Sequence, residues 1–428
     1  MQGPGTPRTL LLAGFYTWPM HTAPLIVALA LLGQPSRPAM PGGAPPERLD
    51  WKVAESDVLT DHVQLTFPKD FAKAGEAYFS PDDHWIIFQA VPRNPDGSMP
   101  PANAPYAMYV ARLKRSPIGM ITGIETPLLV SPPDSANTCG FFHPIEPWRI
   151  LFGSTITAPA SDAASGYQRG SSRYSWMMPR EMEIVTRCIP EIKAATTGPQ
   201  LTQEVICPDE QRQPVPLFER DGYDAECAYS PDGRFVVFAA AEPDDPRPDL
   251  HIFDTVTSTS LPVVTEDGYD GGPFFSPCGR RLCYRSDRAG DNLLQLYVAE
   301  LRFDAKSGAI TGVERETALT ANQHVNWAPF WHPSGRFLVY ATSEAGHHNY
   351  EVFAIDVPAA DHIEGLDPAN ASPRRITHAS GFDGLPVFNS SGTMMMWTSQ
   401  RGPKLADEER PSSQLWVARF ASPEPSMR

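Results

Sequence analysis

Three near-identical words recur in this chain: Gly222-Tyr223-Asp224, Gly268-Tyr269-Asp270 and Gly381-Phe382-Asp383. Each carboxylate stands seven residues before a turn position, and Asn137 and Asn326 hold the same place in two further copies. Three carboxylates and two amides at one repeated position form a set of oxygen donors. If they converge they suit Ca²⁺ or another divalent cation, or the positive end of a ligand, because hard cations take oxygen ligands. The competing chemistry is local, since Asp and Asn also cap turns by bonding their own backbone. Around this ring Tyr223, Tyr269, Phe382, Arg288, His324 and His347 are candidate rim residues. Arg173 and Trp176, in a loop that mixes Arg with aromatic residues, add the composition favoured at binding surfaces.

Other chemistries lack their residues. His324, His347, His348 and His378 invite a metal, but no His-Glu-x-x-His or comparable ligand pair occurs. His143 and His332 stand just before turn prolines and belong to those hairpins. A Gly-x-Ser-x-Gly nucleophile elbow is missing from the chain.

The elements that position these residues are short strands. From Gly268 to Leu301 the chain gives a turn, an apolar strand, a tight Pro277-Cys278-Gly279 turn and two more strands. Leu282 and Tyr284 alternate with polar neighbours in the second of these. The same hairpin returns at Tyr78, Phe141, Ala228, Phe330 and Val387. Its turn residues, Pro81, Pro144, Pro231, Pro277, Pro333 and Ser390, lie 63, 87, 46, 56 and 57 residues apart. Such periods with about four strands each predict an all-β, six-bladed propeller. His62 to Phe67 reads as a strand without a partner, and Ser413 to Phe420 as a third strand without a fourth. The N-terminal strand therefore completes the last blade and removes an exposed edge. The start of each innermost strand should border the axial channel, on the face that also carries the insertions 91–105 and 156–179. The insertion 190–220 is not assigned to a face.

Ser230-Pro231-Asp232-Gly233-Arg234, Ser286-Asp287-Arg288-Ala289-Gly290 and Leu296-Tyr297-Val298 resemble the TolB-type (WD40-like) propeller repeat over about Val63 to Phe420. The resemblance implies the fold, and here it stands without the α/β domain that precedes the propeller in TolB proteins. Oligogalacturonate lyases are similar in architecture, which implies a metal-dependent polysaccharide lyase or hydrolase at the channel mouth as an alternative. Prolyl oligopeptidases carry a similar propeller ahead of a catalytic domain, for which no room remains after the last blade.

The 46 prolines and 31 glycines among 428 residues fit a turn-rich β chain. A net charge of −15 excludes a nucleic-acid partner, which needs a basic stripe. Residues 1–33, with the apolar run Pro24 to Leu32, read as a signal peptide or membrane anchor, and 34–60 as a Pro/Gly-rich linker. The propeller then takes 61–421, with a disordered tail at 422–428. Six cysteines suit an oxidising compartment, and Cys188 and Cys207 flank one insertion that they could staple. Together these features predict a monomeric, periplasmic or secreted, non-enzymatic scaffold. It would bind a protein, peptide or glycan on the insertion-bearing face.

Overall fold

The computed structural model describes residues 50–160, 166–169, 174–177, 179–197, 207, 209–359 and 367–422. The signal segment, the linker up to residue 49, Arg173 and the last six residues lie outside this set. Among the described residues no helix is long and apolar enough to cross a membrane.

Six antiparallel sheets follow one another along the chain. Their innermost strands are Phe71–Phe79, Asn137–Phe142, Tyr223–Tyr229, Asp270–Phe275, Asn326–Trp331 and Asp383–Phe388, which define blades one to six. The insertion of blade two carries a separate hairpin, Gly166–Arg169 with Tyr174–Met177, and a helix, Pro190–Thr197, follows its third strand. The strands form for the expected reason, because each turn terminates its hairpin with side-chain acceptors. Ser230 Oγ accepts from Phe235 N at 2.9 Å, Ser80 from Trp85 N at 2.9 Å and Ser276 from Arg281 N at 3.0 Å. His143 Nδ1 accepts from Glu146 N at 3.0 Å and His332 Nδ1 from Ser334 N at 3.1 Å, so both histidines serve the hairpin.

One detail differs from the sequence reading. Leu282 and Tyr284 do not alternate with exposed neighbours, since Cys283 between them is also fully buried. The second strand of a blade packs against a neighbouring blade on each face. Both of its faces are therefore apolar, and a period of two is lost.

Closure around an axis is visible in the aromatic rings that stand three residues before the turn in blades one, two, four and five. Tyr78 of blade one meets Phe141 of blade two at 5.3 Å, Phe274 of blade four at 5.6 Å and Phe330 of blade five at 6.1 Å. Blades that are not neighbours touch in this way only across a common centre. The ring is completed by the N-terminal strand Leu59–Gln64, which pairs antiparallel with Gln414–Phe420, Leu59 opposite Phe420 and Gln64 opposite Trp416.

A buried clasp holds that strand. Glu55, at the end of the short helix Trp51–Glu55, accepts from both Arg401 Nη atoms at 2.8 and 3.0 Å, and from the His378 amide at 2.7 Å. The His62 ring lies 2.9 Å from the same carboxylate. Arg401 lies over Trp51 at 4.3 Å and over Trp397 at 4.9 Å, and neither charged side chain reaches solvent. Cys188 and Cys207, one of the pairings the sequence left open, form a disulfide.

Candidate functional site: a blind axial pocket

Each innermost strand carries a β-bulge at the same place, five residues before its turn position. The residues there, Glu76, Cys139, Glu226, Gly272, Ala328 and Leu385, all have φ between 43° and 58°. A bulge re-aims the chain, so this position faces the axis in every blade, while the one two residues earlier does so only in blades one and two. A cavity of about 610 Å³ runs along that axis, and all six bulge positions line it. The Tyr78, Phe274, Phe330 and Val387 side chains form its floor. Its walls rise past Lys73, Gln89, Tyr106, Trp327, Tyr350 and Phe382 to His347, Gln400, Arg410 and Ser413.

The two walls are chemically unlike. From blades five and six come Trp327, Ala328, Pro329, Tyr350, Phe382 and Leu385. The charged side chains are Lys73 and Glu76 of blade one, Glu226 of blade three and Arg285 of blade four, with Arg410 of blade six near the mouth. Arg285 enters the space that Gly272 leaves, where a Cβ would meet its Nη1 at 2.0 Å. Its Nη2 donates to Glu226 at 3.0 Å and to the Tyr269 hydroxyl at 2.7 Å; the hydroxyl donates in turn to Glu226 at 2.8 Å. The Gly272 amide adds a fourth bond to Glu226. Glu76 sits on the same layer with neutral partners only, the Tyr78 hydroxyl at 3.1 Å and the Cys139 thiol. Burial, reinforced by the Glu226 charge, raises its carboxyl above the usual range although the Cys139 contact, the Arg285 charge and the Tyr78 hydroxyl oppose this. Burial also lifts Tyr106 to about 12 and lowers Lys73, whose ammonium lies 4.3 Å over the Tyr106 ring.

The acidic ring expected at the mouth is not assembled. Asn137 lines the cavity and donates to the Tyr106 carbonyl at 2.9 Å, but the other four turn inward to their blades. Asp224 lies 3.4 Å from Arg220, Asp270 accepts from Arg288 at 3.2 Å and Asp383 from Arg401 at 2.9 Å. Asn326 donates to Gln295 at 3.0 Å and Asn322 at 2.9 Å. These are bracing contacts. The bulge lies between this position and the axis and turns its side chains away, so the proposed Ca²⁺ ring has no geometric basis. Among the described residues no three His, Cys, Asp or Glu side chains are placed to hold a metal ion.

Of the rim residues, Tyr223, Phe382 and His347 line the cavity. Tyr269 reaches it only through Glu226 and Arg285, while Arg288 braces Asp270 and stacks on Tyr297 at 4.3 Å. The His324 carbonyl accepts from Gln295, and its ring is not part of the wall. The Trp176 side chain and Arg173 lie outside the described residues. Glu76, Glu226 and Arg285 were missed, although reading down the column five residues before each turn would have exposed the first two.

No family model matches this chain, and no curated protein matches it. Its fold is that of a six-bladed β-propeller. Similar solved structures include a putative TolB from Agrobacterium tumefaciens, with a TM-score of 0.46 and 13% identity, over 81% of this chain and 90% of that one. TolB from Acinetobacter baumannii gives 0.45 and 15%, over 79% and 64%. An oligogalacturonate lyase from Vibrio parahaemolyticus gives 0.43 and 10%, over 84% and 93%. The chain thus spans under two thirds of the Acinetobacter protein. These likenesses are to the propeller fold alone.

The bracing acids set the pH response. Burial raises Asp224 to about 7 and Asp270 to about 6, with their arginines opposing the shift. It raises Glu351 to about 8, helped by the Asp383 charge. A carboxyl raised on folding stabilises fully below its unfolded value, and that contribution is lost as pH rises through the folded one. His251 behaves oppositely. Burial and the Arg220 charge lower it to about 4, so its contribution is lost as pH falls below its unfolded value. Burial pushes Glu55 up, but bonds from His62, Arg401 and the His378 amide outweigh this and hold it low. The apparent Tm is therefore expected to peak near about pH 5–6 and to fall by several degrees towards about pH 8.5. A thermal-unfolding series across that range that rose with pH would refute the assignment.

Proposed function

We propose that this chain is a non-enzymatic binding propeller that takes the end of a peptide or glycan chain into its axial pocket from the insertion-bearing face. One observation carries this reading: the cavity is floored by aromatic side chains and has an apolar wall facing a hydrogen-bonded polar one. Concave sites with a few convergent polar groups on an apolar lining are where ligands bind. Tyr106 directly follows one insertion and Met182 comes shortly after the other, and both line the pocket, which supports entry from the insertion-bearing face. Export to the periplasm or outside the cell is part of the proposal. The apolar run Pro24 to Leu32 supports it, as does the Cys188–Cys207 disulfide, a bond that persists in oxidising compartments.

The test is to probe arrays of short peptides and oligosaccharides with the intact chain and with Ser413→Trp. Ser413 is half-buried at the mouth, and an indole there obstructs entry without touching the floor. Capture by the native chain and its loss in the variant is the expected result. Capture that survives the indole would place the binding surface elsewhere.

A further inference from the structure

The two carboxylates of the pocket are not equivalent. Glu226 has a guanidinium, a phenol and a backbone amide committed to it. Glu76 meets only a phenol and a thiol, and makes no ion pair among the described residues. Arg285 attracts Glu76 through its charge but gives its hydrogen bonds to Glu226 and Tyr269, and the Lys73 ammonium lies over the Tyr106 ring. A partly desolvated carboxylate beside a ~600 Å³ cavity is a strong acceptor for a charged donor brought in by a ligand. Trp327, Tyr350 and Phe382 line the same cavity, and aromatic faces attract organic cations.

We infer that the pocket receives a primary ammonium group, which pairs with Glu76 while its carbon stem lies along the Trp327, Tyr350 and Phe382 wall. This rests on the pocket being the binding site, and it names the chemistry of the group that enters first. The ammonium has two plausible carriers of one chemistry, a small free amine and the N-terminus of a peptide. Gln89 lines the same cavity and its Oε1 is buried without a hydrogen-bond partner, so it offers a second acceptor for the three N–H donors of an ammonium. Lys73 and Arg410, nearer the mouth, would face whatever follows the amine and favour neutral or acidic groups there.

Calorimetric titration of the full chain with the peptide Ala-Ala-Ala-Ala, its N-acetylated form and n-butylamine tests this. The free peptide is expected to bind at least about tenfold more tightly than the acetylated one, the loss typical of one charge-assisted hydrogen bond. Glu76→Gln, which keeps the side-chain volume, is expected to abolish that difference. Competition by n-butylamine would assign the site to small amines as well as peptides; peptide binding without such competition would assign it to peptide N-termini. Both outcomes support an ammonium site. Equal binding of free and acetylated peptide to the native chain, a comparison that needs no variant, overturns it. So does a native Glu76→Gln affinity pattern, or no binding of any of the three probes. If the array still captures ligands that Ser413→Trp loses, the pocket remains the binding site and only the ammonium assignment has failed.

Discussion

Arg401→Ala is expected to be the most damaging single substitution in this propeller, costing about 3–5 kcal/mol, the usual loss when one partner of a buried ion pair is removed. It strips Glu55 of two hydrogen bonds and Asp383 of one, and both carboxylates are shielded from water. The damage falls on the closure itself. Glu55 stands four residues before the strand Leu59–Gln64, and its bonds to Arg401 and to the His378 amide pin that segment to blades five and six. Hydrogen exchange should therefore show Leu59–Gln64 opening well before the other strands, with a lower apparent Tm for the whole chain. The triple variant Glu55→Leu, Asp383→Asn and Arg401→Met removes all three charges together and should be less destabilised than Arg401→Ala alone. A Tm within a degree of the parent for Arg401→Ala would mean that strand pairing alone closes the ring.

Gly272→Ala is expected to cost about 3 kcal/mol or more and to deform the polar wall of the pocket. Two effects add. The residue has φ +58, where a Cβ costs roughly 1–2 kcal/mol. The new methyl would also stand 2.0 Å from Arg285 Nη1, so the guanidinium must leave Glu226 and Tyr269. Losing a buried charge partner adds a further cost of about 2 kcal/mol or more. Gly279→Ala separates the two terms. It shares a positive φ, +72, but the nearest atom to its added Cβ is Pro231 Cδ at 3.6 Å, an ordinary contact. Only the backbone term should appear there. Equal Tm losses at the two glycines would show that Arg285 repacks without cost. If ligands of the pocket are in hand, Gly272→Ala should weaken them and Gly279→Ala should not.

These two variants also mark how far the sequence could be read. The hairpin repeat, the count of six blades and the pairing of the chain's ends follow from local information. Turn residues such as Pro277 and Gly279 and the apolar strands beside them act over a few residues, and the unpaired strands at each end leave one economical arrangement. The histidines before Pro144 and Pro333 could be assigned to their turns for the same reason.

The side of each innermost strand that looks along the axis was not available in this way. A strand's alternation is a rule of period two, and one left-handed residue inserted into it reverses the assignment of every side chain beyond. The seventh residue before the turn was therefore expected at the mouth and in blades three to six is found within its blade, whereas the fifth, Glu76 and Glu226 among them, faces the cavity in all six. Arg285 illustrates the second limit. It comes from the second strand of blade four and meets Glu226, 59 residues away on blade three, through a gap left by a glycine. Which side chains share that layer depends on the packing of separate sheets around a common centre, a long-range arrangement that no window of neighbouring residues encodes.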